Sequence, residues 1–222
     1  MIDKLLNRVE ARMGRYRGIR NLTAIIVAAM AVVYLADLVL GPVMGFYLSG
    51  YLSFNRAAIL RGQVWRIFTF VLTPPSGGMF FALMQLAFLY FTGSLLQSHW
   101  GTLRFNLFYL CGMLGSMIAG FITGYATSYY VNMSLMLAVA ILYPMMQINL
   151  YGILPLRMKW LALLDLVLLL PGLLNGSWGE RIAIVVSLLN VALFFFGRLM
   201  DQVKDAKRRY EWKKNWRNGS WR

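Results

Sequence analysis

The stretch "YYVNMSLMLAVAILYP", residues 129–144, begins polar and aromatic and then turns apolar. It sets one serine, Ser134, near the start of a hydrophobic segment. A hydroxyl so placed is either a nucleophile working inside a membrane or a hydrogen bond within a helix bundle. The rest of the chain decides between them.

Around that stretch the composition is far from that of a soluble domain. Of 222 residues, 59% are hydrophobic, and only eight are acids. Crossing a bilayer takes roughly 20 mainly apolar residues, fewer at the short end of the range. Six segments reach that standard, at about 22–45, 79–96, 103–126, 135–153, 160–174 and 182–199. The expected fold class is an all-α membrane protein, a bundle of six transmembrane helices. Residues 1–21 precede it, the spans fill 22–200, and a tail covers 201–222.

The net charge of +14 is distributed as a topology signal. Lys4, Arg8, Arg12, Arg15, Arg17 and Arg20 stand before the first span, and Arg198, Lys204, Lys207, Arg208, Arg209, Lys213, Lys214, Arg217 and Arg222 follow the last. Arg104, Arg157 and Lys159 fall in loops on the same side. The other side holds only Arg56, Arg61, Arg66 and Arg181. Basic residues stay cytoplasmic, so both termini are expected there. The excess implies attraction to anionic lipids, not nucleic-acid binding. Cys111 is alone and His99 is the only histidine, so no disulfide, cysteine metal site or cofactor is expected.

Both ends read as interfacial. Ile2, Leu5, Leu6, Val9 and Met13 recur at helical spacing opposite a basic face. The tail interleaves basic residues with Tyr210, Trp212, Trp216 and Trp221. It reads as an anchor; a docking site for a soluble partner is the sharper alternative. In the third span, Gly112, Ser116, Gly120 and Gly124 repeat every four positions. Small residues let helices approach closely in lipid, so this span is expected at the bundle centre. A homo-oligomer face is the second reading of the same stripe. The loop "YLSFNRAAILRGQVWRIFTFVLTPPSGG", residues 51–78, is too polar to cross and too hydrophobic for plain solvent, so it is expected half-sunk in the outer leaflet. Arg66 belongs at the interface, under the ring of Trp65. Pro74 and Pro75 end the segment.

Residues 61–197 now show an ordered series that resembles the rhomboid superfamily. "GQVWRIFTF" is similar to the Trp-Arg motif of the rhomboid first loop, shared by Derlins and inactive rhomboids. "GSLLQSHWGTLRFNLFYL" is similar to the join between spans two and three, matching at Gly93, Gly101, Arg104-Phe105 and Tyr109-Leu110, with Gln97 where the family has Glu. The resemblance implies a test for a Ser-His protease dyad. "VNMSL" lays Ser134 on the serine of G-x-S-G, with Asn132 and Leu135 replacing both glycines. "LLNVALFFFG" lays Asn190 on the histidine, with Leu193 on the first packing glycine and Gly197 on the second. Phe81 and Gln85 fall on the His and Asn of span two, after an insertion of about two residues.

The chemistry argues against proteolysis. A serine hydroxyl needs a base to take its proton, worth about 10²–10⁴-fold, and an amide such as Asn190 is none. His99 is expected in the cytoplasmic loop, away from a serine that opens outward. Phe81 offers no donor to an oxyanion. Ser134, Asn190, Phe81 and Gln85 are therefore expected as relic positions, with Ser134 hydrogen-bonding inside the bundle, Asn190 being one candidate partner. Two acids lie within spans. Asp37 falls roughly 24 Å along the first helix, near its outer end, and Asp165 about 9 Å past Lys159 along the fifth. A deep ionisable group is a functional candidate; an acid facing the bundle, protonated or hydrogen-bonded, is the plainer reading.

The resemblance implies a non-proteolytic protein that binds transmembrane clients in quality control or trafficking, admitting them between the second and fifth spans. Trp65, Arg66, Gln85, Ser134, Asn190 and Asp165 are the candidate client- or lipid-binding residues. An active rhomboid protease using Ser134 is the alternative, and a small-molecule or ion transporter the third. The tail lacks the glycine-rich motif by which Derlins recruit an ATPase. Nothing requires a eukaryote, so a bacterial cytoplasmic membrane is expected, with the endoplasmic reticulum second.

Overall fold

The structure, a computed structural model, describes residues 18–75, 77–150 and 154–217. Helix α1 (Leu22–Met44) leads into three short helices, α2 (Leu48–Leu52), α3 (Arg56–Leu60) and α4 (Arg66–Thr69), and a 3₁₀ turn at Phe70–Leu72. Then come α5 (Met79–Trp100), α6 (Thr102–Thr123) and α7 (Ser128–Leu142). Strands β1 (Gln147–Leu150) and β2 (Leu154–Arg157) form a hairpin before α8 (Met158–Asn175) and α9 (Trp178–Arg217).

Helices α1, α5, α6, α8 and the Trp178–Phe195 part of α9 are long and apolar enough to cross a membrane; α7 is apolar but shorter. The chain is an integral, multi-pass membrane protein. In hydrocarbon every backbone group must find its partner within the protein, and a helix achieves this within one segment. Side chains agree: Val32, Leu35 and Val39 on α1 and Leu163, Leu164 and Leu168 on α8 are exposed, a surface that only lipid suits.

The fourth segment differs from its expected bounds of 135–153. Its helix begins at Ser128 and stops at Leu142, so Ser134 sits mid-helix and not at the start. Thr127 caps it by accepting from the Tyr129 amide. Pro144 explains the stop, since the residue before a proline avoids the helical region. Tyr143 accordingly lies at φ −129° and ψ 60°. The apolar run beyond is spent on a short hairpin, antiparallel with Ile148 opposite Leu156, within a chain that is otherwise all-α. The last helix also differs, running 40 residues from Trp178 through the tail to Arg217. At 1.5 Å per residue that is about 60 Å, twice a hydrocarbon core. The expected amphipathic segment, residues 1–21, lies outside the described residues except for its last four.

Helix α6 packs on α5, α7 and most extensively on α9. The loop helices gather around their own apolar cluster of Phe54, Ile59, Phe70 and Val71, closed by Ala126. Arg66 ties that loop together. Its guanidinium donates to the carbonyls of Gly50 and Ser53, both at 2.8 Å, and to Gln63 Oε1 at 2.6 Å. It lies over the ring of Tyr51, 5.3 Å from the centroid, not under Trp65; Tyr51 stacks in turn on Trp65. Asp37 accepts from the Ser49 amide at 3.1 Å, joining α1 to the loop.

Arg66→Leu leaves two loop carbonyls without their donor, and hydrogen bonds to a charged group are worth about 1.5–3 kcal/mol. The detergent-solubilised variant should unfold at a lower temperature, and Arg66→Lys should recover only part, because an ammonium lacks the planar fork. An unchanged midpoint for Arg66→Leu would contradict this anchoring role.

Candidate functional site

Two polar clusters lie in the bundle, and they are separate. The first joins α6, α7 and α9. Ser134 is 1% exposed, and its hydroxyl donates to the Val131 carbonyl of its own helix at 2.6 Å. Such i to i−3 bonding satisfies a hydroxyl without a tertiary partner. Asn190, 7% exposed, reaches in from α9. Its Nδ2 donates to the Phe108 carbonyl at 3.4 Å and to Ser134 Oγ at 3.5 Å. Both distances exceed the usual 2.7–3.2 Å, so these are weak bonds.

Gly112 makes that approach possible. A Cβ there would stand 2.9 Å from Asn190 Nδ2 and 3.4 Å from Val131. The rest of the small-residue stripe is less uniform than its spacing. Ser116 is buried, and a Cβ on Gly120 would meet Phe54 and Ala126 at 2.8 Å. Gly124 is not on the helix face: it caps α6 at φ 92°, and nothing stands within 4 Å of its Cβ position. Gly115, which the four-residue spacing misses, meets Val186 of α9 at 2.5 Å.

No base approaches Ser134 among the described residues. His99 lies at the far end of α5, where its Nδ1 is 2.9 Å from the Tyr143 hydroxyl. Tyr143 follows the last turn of α7, so Ser134 is about 13 Å away along the helix axis. Phe81 is 55% exposed on the first turn of α5 and does not face Ser134 through any polar atom.

The second cluster lines a cavity of about 680 Å³. Its walls come from α1, the loop, α5, α7 and α8. Gln85 stands on α5, Asn132 on α7 and Asp165 on α8, among Met30, Met84, Met133 and Met136. Asn132, Met133 and Met136 share one face of α7, and Ser134 turns away toward α9. The candidate residues therefore divide: Gln85 and Asp165 border the cavity, Ser134 and Asn190 do not. Trp65 and Arg66 belong to the loop and do not line it either. Helices α5 and α8 both pack on α7 but make little contact with each other, so no close backbone packing joins them beside the cavity. Asn132 is a site residue that the sequence marks only as a lost glycine; its Oδ1 is shielded and has no hydrogen-bond partner.

No protein-family model matches the chain, and no curated protein matches it.

Weak bonds and a tight backbone contact make different demands. Hydrogen bonds between membrane helices average about 0.6 kcal/mol, whereas overpacking costs about 1–3 kcal/mol. Gly112→Val should therefore lower the unfolding midpoint in detergent more than Asn190→Ala does. The reverse order would mean that the polar contact, not close approach, holds α6 to α9.

Proposed function

We propose that this chain is a six-span, rhomboid-like bundle that holds transmembrane clients without cutting them. On this reading α7 is the remaining span, both termini are cytoplasmic, and the membrane is a bacterial cytoplasmic one. One observation carries the proposal: the buried Ser134 hydroxyl has only a carbonyl and an amide for partners, while a separate cavity, lined by methionines and a few polar side chains, opens on another face of α7. Neither partner takes up a proton at neutral pH, so the serine has no activated form. The ordered Trp-Arg, Gly93–Leu110, Ser134 and Asn190 positions support the rhomboid-like assignment by resemblance.

A held client would enter between α5 and α8. Methionine walls suit varied partners, because the thioether chain is flexible and polarisable. The loop helices, braced by Arg66, would keep the mouth of the cavity in shape.

Two assays on the purified protein in proteoliposomes test this. A fluorophosphonate probe should leave Ser134 unlabelled. A photocrosslinker at Gln85 should capture single-span membrane proteins, and one at the loop residue Leu60 should not. Probe labelling lost on Ser134→Ala, or cleavage of a membrane-embedded peptide, would replace this reading with the protease one.

A further inference from the structure

Among the described residues, the cavity wall supplies no cation to Asp165. It contains serines, threonines, tyrosines, Gln85, Asn132 and methionines, but no Lys, Arg or His. Among the described residues Asp165 receives no hydrogen bond and forms no ion pair, although it lies in the middle of α8 and is half-buried. Acids at membrane depth ordinarily pair with another group or border a polar cavity. Here the cavity is present, its described lining carries no cation, and Tyr129 on the same wall is the polar group near enough to interact electrostatically with Asp165. The volume, about 680 Å³, matches sites that take a few side chains or a small ligand. It is too small for a whole helix, so an entering helix would stay between α5 and α8 and project side chains inward.

The geometry points to a site for a basic side chain, lysine or arginine, presented by the transmembrane helix of a client and paired with Asp165. This deepens the client-holding reading and rests on it. A basic residue in lipid is costly alone, as is a carboxylate, and pairing them in the cavity relieves both. The long apolar stem of lysine or arginine fits the walls made by Met84, Met133 and Met136, with Gln85 and Asn132 as flanking polar groups. The charge complement therefore selects clients whose spans carry a misplaced cation.

The test uses the full chain in proteoliposomes with a photocrosslinker replacing Met84. Single-span leucine-alanine peptides carry lysine, leucine or glutamate at the centre. The lysine peptide should be captured about tenfold more than the leucine peptide, the ratio that one strong buried pair supplies. Asp165→Asn should remove that preference without lowering leucine-peptide capture, and Asp165→Lys should favour the glutamate peptide. Equal capture of lysine and leucine peptides by the native chain overturns the cation site and leaves client holding intact. Capture of no peptide overturns client holding, and the cation site with it. Should Asp165→Asn fail to fold, the native lysine-to-leucine ratio decides alone.

Discussion

Helices in lipid gain no hydrophobic free energy by meeting, because the tails they leave are as apolar as the side chains they find. Association then depends on how closely backbones approach. In this bundle α6 offers three such approaches, Asn190 at Gly112, Val186 at Gly115 and Phe54 at Gly120, and Gly93 of α5 admits Thr23 of α1 in the same way. Two of the α6 contacts seat α9, and the third plugs the loop cluster onto the end of α6. The buried polar contact of Ser134 and Asn190 follows from this packing and does not create it, since its bonds are long.

Such approaches do not join every pair of helices. Helix α1 packs on α5 and the loop, and α8 packs on α7 and α9, but α5 and α8 are not drawn together. Nothing like the α6 glycines lies between them. A cavity survives there because methionine and polar side chains line it, and neither kind fills space by rigid interlocking. The loop closes one end through Arg66, whose three hydrogen bonds replace regular structure as the brace.

Much of the architecture was legible in the residues. Runs of apolar residues marked the five helices that are long and apolar enough to cross, and the small residues marked α6, on which α5, α7 and α9 pack. Hydropathy failed where it reports only oil. It extended the fourth segment through apolar residues that Pro144 cuts off from the helix and gives to the hairpin. It also began that segment late, because Tyr129, Tyr130 and Asn132 look unsuited to a span, although Val131, Met133 and Ser134 around them are buried. Spacing grouped Gly124 with Gly112 and Gly120, yet a left-handed cap and a helix face use glycine for different reasons, and only the backbone conformation separates them. For the site, motif position led to Ser134 and Asn190. The cavity could not be read, because its walls come from four helices and a loop far apart in sequence, two of which, α5 and α8, barely meet.

Polar groups in a membrane protein differ less in kind than in whether they are already satisfied. Ser134 spends its proton on Val131 of its own helix, and Asn190 shares its donor between two acceptors; both are closed to solvent. A group so committed contributes packing and has little left to offer a visitor. Asp165 is half-buried on α8 at the cavity wall, with no cation among the described residues that line it. Its oxygens accept no hydrogen bond from the described residues, so an entering donor would gain a bond without breaking one within the bundle. A carboxylate in that position is costly to keep in a bundle that could have carried leucine there. That cost is understandable if the acid acts on what enters the cavity, which is what the proposed pairing with a client's basic side chain would have it do.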